Sequence, residues 1–447
     1  MATKRSPFVY FARLRLTNVK SFGVTQELDL TDRSGRPARW TLLLGDNGVG
    51  KTTLLQCVAL MRPVLSNTRY ASNAPEPDRV QAALASRENS DIAALARIGS
   101  SRVKLEAEMV SGRRLSGGGG KPTPLRTTVD IHMKAEKLST FKAPLVKVPG
   151  FTEPLVIGYS AARHMSYGRG EPEPASDDPA ESLFDPSIEL ADAEEILQRL
   201  DYAAAKSNVR ARALLKRLKE ALARLLPDVS HQSDIVIYGP PTPGFEDGKT
   251  GVRVKTHYGE VPLSSLSLGY QTTTAWAVDL AWKLFQKYPE STDPLREPAI
   301  VLIDEIDLHL HPLWQREFRP MVSEFFPEVQ FIATAHSPLM AQSYLDTNIV
   351  VLARRRDHVE IENDPAIVRN WGLDEVVTSD LFGLTSAYGP EIDAMIRERT
   401  ALLRLGNRSA GQRARLLELQ EAIEALTDDE CELASSDAAV TAGHSAR

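Results

Sequence analysis

Gly45-Asp46-Asn47-Gly48-Val49-Gly50-Lys51-Thr52 fits the pattern G-x-x-x-x-G-K-[ST], and its flanks supply the structural context that the pattern requires. Trp40 to Leu44 ahead of it is a short apolar run that reads as a strand, and Thr52 to Met61 behind it reads as a helix. A strand, a glycine-rich turn and a helix start curl successive backbone N–H groups around one concavity, and the helix N-terminus adds positive potential. Phosphate fits there. Lys51 is placed to reach the β- and γ-phosphates of ATP, and the Thr52 hydroxyl is placed to ligate Mg²⁺. Asn47, Gly48, Val49, Gly50, Lys51, Thr52 and Thr53 make up the expected nucleotide-binding set.

The rest of the site is expected far along the chain. Ile300-Val301-Leu302-Ile303-Asp304-Glu305 is an apolar strand ending in two carboxylates, at the strand edge where α/β sheets bind nucleotides. Two adjacent carboxylates at a buried strand end are costly without a cation. Asp304 is the expected Mg²⁺ ligand, and Glu305 the general base that polarises the attacking water. His336 follows a second apolar strand, Val329 to Thr334, and is expected beside the γ-phosphate as a donor to developing charge. Glu305, His336 and Lys51 form the candidate catalytic set. Ser267 and Gly269, in Leu266-Ser267-Leu268-Gly269-Tyr270-Gln271, precede a helix at Gln271 to Tyr288. Capping that helix is the alternative role for Ser267. His309 and His311 alternate toward one side, but no cysteine or third histidine lies nearby to complete a zinc site.

In that order, a phosphate loop, a serine–glycine signature, an Asp–Glu pair and a histidine resemble the ABC-type ATPases. The resemblance implies that Ser267 and Gly269 contact a γ-phosphate held by a second copy, so that two ATPs lie sandwiched in a head-to-tail homodimer. Leu268 stands where that family usually has glycine. Asp307 resembles the aspartate that couples the two sites. Leu14 to Phe22, LRLTNVKSF, is similar to the opening strand of the OLD, RecF and SMC-like group. Val156 to Arg163, VIGYSAAR, is similar to antiphage-defence ATPases such as the Septu subunit PtuA and its retron-associated relatives, and it holds no loop glutamine.

The fold class expected is α/β: an ABC-type head with a mixed or antiparallel N-terminal sheet, a parallel core sheet and a helical insertion. Residues 1–170 form the first lobe, with strands at Phe8 to Val19, Val24 to Leu30, Arg102 to Val110 and Leu125 to Ala135. Gly117 to Gly120 reads as a hairpin linker, since no Lys-Ser or Lys-Thr follows it. Pro77 to Ile98 reads as helical and Glu171 to Asp178 as an exposed acidic loop. Residues 171–230 are the insertion, dominated by helix formers from Ala191 to Leu226, with Leu214, Leu215, Leu218, Leu222 and Leu225 at helical spacing. Residues 231–385 complete the ATPase. Residues 386–426 read as helical, and residues 427–447 as a disordered tail.

A formal charge of −6 argues against a constitutive nucleic-acid coat protein. Local basic clusters at Arg354 to Arg356, from Arg210 to Lys219 and from Arg397 to Arg408 leave nucleic-acid binding open. Two cysteines, Cys57 and Cys431, in unlike settings fit a reducing compartment. The absence of a signal-like segment and of any apolar run near the roughly 20 residues that span a bilayer points to a soluble cytoplasmic protein without a membrane partner. The function expected is that of an ATP-driven dimerising switch, the sensor or regulatory ATPase of an antiphage complex whose nuclease or toxic effector is a separate chain. A RecF-like DNA-binding ATPase of repair or recombination is the alternative. No nuclease activity is expected of this chain, because no Asp-x-Asp cluster follows His336.

Overall fold

The computed structural model describes residues 8–65, 92–116, 119–135, 137–142, 144–146, 151, 153–163, 178–226, 229–239, 249–341, 347–363, 389–405, 407 and 409–423. Most of Pro77 to Ile98, Glu171 to Asp177 and the expected disordered tail lie outside these residues. The chain divides into two units, residues 1–370 and 371–447.

The first half of the larger unit runs β1 (Val9–Thr17), β2 (Gln26–Asp29), β3 (Trp40–Gly45), α1 (Lys51–Leu60), β4 (Val64–Leu65), β5 (Arg102–Arg113), β6 (Gly119–Lys134), β7 (Lys137–Lys142), β8 (Leu145–Val146) and β9 (Val156–Tyr159). After α2 (Ala193–Ala205) and α3 (Val209–Leu225) come β10 (Ile235–Ile237), β11 (Val252–Thr256), β12 (Gly259–Pro262) and α4 (Leu268–Lys287). The second half of this unit continues with β13 (Ala299–Ile303), α5 (Pro312–Phe325), β14 (Val329–Thr334), the short α6 (Pro338–Ala341), β15 (Asn348–Arg354) and β16 (Val359–Asn363).

A five-stranded antiparallel sheet has the order β2-β1-β5-β6-β7. Alternation along β1 sets its faces: Leu14 and Leu16 are fully buried, while Arg13 and Arg15 point outward and pair with Glu27 on β2. The hairpin expected around the glycine run is present, and β6 starts early enough for Gly119 to pair with Arg113. The core sheet is six-stranded, in the order β16-β15-β3-β14-β13-β9, with parallel neighbours except at the β15–β16 edge. Every residue of β13 and β14 is buried, as a parallel sheet covered on both faces demands. The fold is the expected α/β ATPase head: an antiparallel N-terminal sheet, a parallel core and a helical insertion.

The helical block of the insertion is two helices. Ser207 adopts a left-handed φ of 67°, and the Asn208 side chain accepts from the Ala211 N–H to start α3. The five leucines named above are buried along one face of α3, which packs with α2 and α4. Asp178, expected on an exposed loop, is instead buried against Arg62 at 2.9 Å and accepts from the Ala180 N–H. β15 and β16, which extend the core sheet beyond β3, are not among the strands expected from the sequence, and neither are β4, β7, β8 and β12.

In the smaller unit, α7 (Pro390–Arg404) and a helix over 410–423 are described. Arg415 joins them through two hydrogen bonds to the Glu398 carboxylate, at 2.9 and 3.0 Å. Leu405 and Asn407 lie between the two helices, and Gly411 lies inside the second.

Candidate nucleotide site

The sheet order brings the distant segments together. β3, β14 and β13 are adjacent and parallel, so the loops after Gly45, Thr334 and Ile303 emerge at the same edge. β9 pairs with β13 through Tyr159 and Ile303, which brings residues 160–163 to that edge as well.

Gly50 sits at φ 103° immediately before α1, and a Cβ there would lie 2.8 Å from Ser21 Oγ and 2.9 Å from the Phe22 ring. Only glycine fits that turn. Behind it the Lys51 ammonium donates to the carbonyls of Gly45 (2.7 Å) and Asp46 (2.9 Å). Burial holds its pKa below the ordinary lysine value, while Asp304, Glu305, Asp46 and Asp307 pull it upward.

Thr52 donates its hydroxyl proton to Asp304 Oδ2 at 2.8 Å, which leaves its lone pairs available to a hard cation. Asp304 Oδ1 accepts from the Thr334 hydroxyl at 2.6 Å, and Thr334 Oγ1 in turn accepts from the Glu305 N–H at 2.6 Å. These oxygen donors suit Mg²⁺. Glu305 is left-handed, with φ 49°, a conformation that costs a non-glycine residue on the order of 1–3 kcal/mol. Its Oε1 lies 3.9 Å from His336 Nε2, and both side chains are about one-third exposed. Asp307 Oδ2 accepts from the backbone N–H of His336 (2.9 Å) and of Ser337 (2.5 Å), fixing the turn that carries the histidine. Lys51, Thr52, Asp304, Glu305 and His336 therefore form one cluster.

Ser267 and Gly269 stand apart from the bonds that knit that cluster. Ser267 is exposed at the N-terminus of α4, and its side chain makes no capping hydrogen bond. Gly269 lies against the loop after β13, where a Cβ would stand 2.3 Å from the His309 carbonyl oxygen. Leu268, in the place of the usual glycine, is 57% exposed.

Two arginines at this edge lie outside the expected nucleotide-binding set, and Arg354 was expected only as part of a basic cluster. Arg163 donates to the carbonyls of Asp304 (2.5 Å) and Glu305 (2.8 Å) from a buried position. Arg354, at the end of β15, reaches the Asn47 carbonyl at 3.5 Å. No spacing rule marks either one, because their roles depend on strand neighbours.

Much of the basic character is committed internally. Arg210 donates to the carbonyls of Phe285, Tyr288 and Ser291 at the end of α4 and stacks on the Phe285 ring. Arg212 donates to the Ala204 carbonyl, Arg217 pairs with Asp293, and Arg355 pairs with Glu360 and Glu362. Among the described residues, no group of three or more His, Cys, Asp or Glu side chains is arranged to hold a metal, and no helix is long and apolar enough to cross a membrane.

Residues 41–341, from β3 past His336, match the family model described as "AAA domain, putative AbiEii toxin, Type IV TA system". The chain belongs to this family. The Septu protein PtuA of Bacillus mycoides (strain KBAB4) is 24% identical over 418 residues, covering 92% of this chain and 50% of that protein. The "Retron Ec83 probable ATPase" of Escherichia coli is 37% identical over 111 residues, 25% of this chain and 20% of that one. The "Retron Vc95 probable ATPase" of Vibrio cholerae serotype O1 biovar El Tor is 40% identical over 93 residues, 21% and 18% of the two chains. The chain thus spans about half the length of the Septu relative and about a fifth of each retron relative. Among solved structures, the Smc head bound to the C-winged helix domain of ScpA aligns over 79% of this chain and 97% of that one, with 15% identity and a TM-score of 0.44. The family membership stands on the sequence match, and the fold on the strand order.

Proposed function

We propose that the chain is a Mg²⁺-dependent ATPase that closes head to tail on two ATP molecules and acts as the sensor or regulatory ATPase of an antiphage defence complex. The observation that carries this reading is the convergence of Lys51, the Thr52–Asp304 pair and the Glu305–His336 pair at the ends of three adjacent strands.

In this mechanism the loop N–H groups from Asn47 to Thr53 cradle the phosphates, and Lys51 exchanges its two carbonyl partners for phosphate oxygens. Thr52 and Asp304 would hold Mg²⁺, which would supply neutralising positive charge to the phosphates. Glu305 takes a proton from the attacking water, and His336 donates to the γ-phosphate as charge develops. The exposed Ser267, free of capping duty, supports a contact with the γ-phosphate on a second copy. Loss of that phosphate removes the link and reopens the pair.

Similarity to the Septu protein along 92% of the chain, and to retron ATPases over shorter segments, supports the defence role. In this reading the effector is a separate chain and both act in the cytoplasm. The internal commitment of Arg210, Arg212, Arg217 and Arg355 weighs against DNA binding as the primary property. The test is the molecular mass of Glu305→Gln in solution with and without ATP and Mg²⁺, followed by identification of co-purifying chains. Doubling of the mass with nucleotide and retention of an effector are expected. A mass indifferent to nucleotide removes the dimerising switch.

A further inference from the structure

Glu305 presents a problem of backbone geometry. It follows Asp304 at the end of β13, yet its φ of 49° turns the chain into a region that a glutamate occupies only under constraint. The Thr334 hydroxyl holds its N–H from one side. On the other side lies Arg163, 5% exposed, with a guanidinium that meets the two consecutive carbonyls of Asp304 and Glu305 through separate nitrogens at 2.5 and 2.8 Å. Arg163 is itself left-handed, with φ 22°, and its Nε has no hydrogen-bond partner.

A buried arginine ordinarily finds a carboxylate. Here the fork is spent on peptide oxygens, although three carboxylates (Asp304, Asp307 and Glu305) lie near enough to act on it electrostatically. Binding carbonyls in this way fixes the two peptide planes that flank the Glu305 Cα and leaves the Glu305 carboxylate unengaged by the guanidinium. The segment is anchored at its other end too. Tyr159, four residues earlier, donates its buried hydroxyl to Asp279 on α4 at 2.8 Å, and its carbonyl accepts from the Asp304 N–H at 2.9 Å. Residues 159–163 thus clamp the carboxylate pair from the β9 side.

We infer that Arg163 is a positioning residue that sets the direction of the Glu305 carboxylate by gripping the peptide carbonyls on either side of it. Arg163 makes this contribution from the segment where the sequence has no loop glutamine. The inference rests on the reading of Glu305 as general base.

The experiment compares wild type, Arg163→Met, Arg163→Lys, Glu305→Gln and the double variant R163M/E305Q, measuring kcat, KM and ATP retention. A misplaced base is expected to cost R163M about 100-fold in kcat. KM for ATP should stay within about threefold, as for an interaction made only in the transition state. R163K, with a single ammonium in place of the fork, should fall between wild type and R163M. The double variant should turn over no more slowly than E305Q, because Arg163 has nothing left to aim. Losses that multiply in the double variant, or a wild-type kcat in R163M, overturn the inference while leaving the base assignment in place. If R163M does not fold, R163K must show the lowered kcat alone and no added loss beside E305Q. Wild-type turnover in E305Q takes down the base assignment and this inference together.

Discussion

The Thr52 hydroxyl donates to Asp304 Oδ2 at 2.8 Å across 252 residues of sequence, closing the two halves of the site onto each other. Because the proton points at the carboxylate, the threonine oxygen is left to face a cation. Thr52→Val is therefore expected to lose Mg²⁺-dependent ATP retention, by about tenfold or more in affinity as for lost metal-site partners, while Thr52→Ser keeps it. Nucleotide titrations with Mg²⁺ and with a chelator measure this. Equal ATP affinity in Thr52→Val and wild type, both responding to Mg²⁺, would contradict the pairing.

Gly269 tests the separation of binding from turnover. An alanine there meets the His309 carbonyl at 2.3 Å and has to displace either the start of α4 or the loop that carries Asp307. Gly269→Ala is expected to bind ATP normally, since Lys51 and the phosphate loop are untouched. Turnover should fall at least about tenfold. Filter binding and steady-state hydrolysis report the two quantities, and parallel loss of both would place Gly269 in the primary binding site.

Arg210 separates a structural basic cluster from a nucleic-acid surface. Three carbonyls at and just beyond the end of α4 engage its Nε and Nη2, and the Phe285 ring, whose centroid is 3.9 Å from the guanidinium, covers one face. Arg210→Ala is expected to cost about 2–3 kcal/mol of stability by denaturant titration, through lost charged hydrogen bonds and cation–π contact. Any DNA affinity should be unchanged. A stable variant with weakened DNA binding would reverse the assignment.

Those three residues also mark what the sequence could disclose. Thr52 and Asp304 belong to motifs whose spacing carries their chemistry, so the cluster was legible before the fold. β13 and β14 were readable to the residue because continuous apolar runs ended by carboxylates or a turn leave little choice. β15 is just as apolar, with Ile349 to Leu352 all buried, but its arginine-rich end drew attention to the surface instead. The split between α2 and α3 was written in Ser207-Asn208, a capping signal inside a helix-forming run. Arg163, Thr334 and the Arg210 cap carry no local signal. Each acts on backbone groups from another element, which only the strand order or, for Arg210, the packing of α3 on α4 puts within reach.

Cys57 provides a check on the burial of α1. Enclosure in the core pushes its thiol pKa up to about 12, so the reactive thiolate is depleted at neutral and mildly alkaline pH. In a Cys431→Ser background, an aromatic disulfide reagent should leave native Cys57 unlabelled even as pH rises from about 7 to about 10, whereas the urea-unfolded chain labels faster through the ordinary thiol range. Rapid labelling of the native protein would show that α1 is not enclosed.

The central claim is that Lys51, Asp304, Glu305 and His336 surround one triphosphate, and bound nucleotide tests it most directly. Glu305→Gln, incubated with ATP and Mg²⁺ and freed of excess nucleotide, should carry unhydrolysed ATP while its turnover falls by about 100-fold or more, the contribution of a positioned base. Adding Lys51→Ala to that variant should abolish the retained ATP. Turnover at the wild-type rate in Glu305→Gln, or ATP retention indifferent to Lys51, would contradict the account.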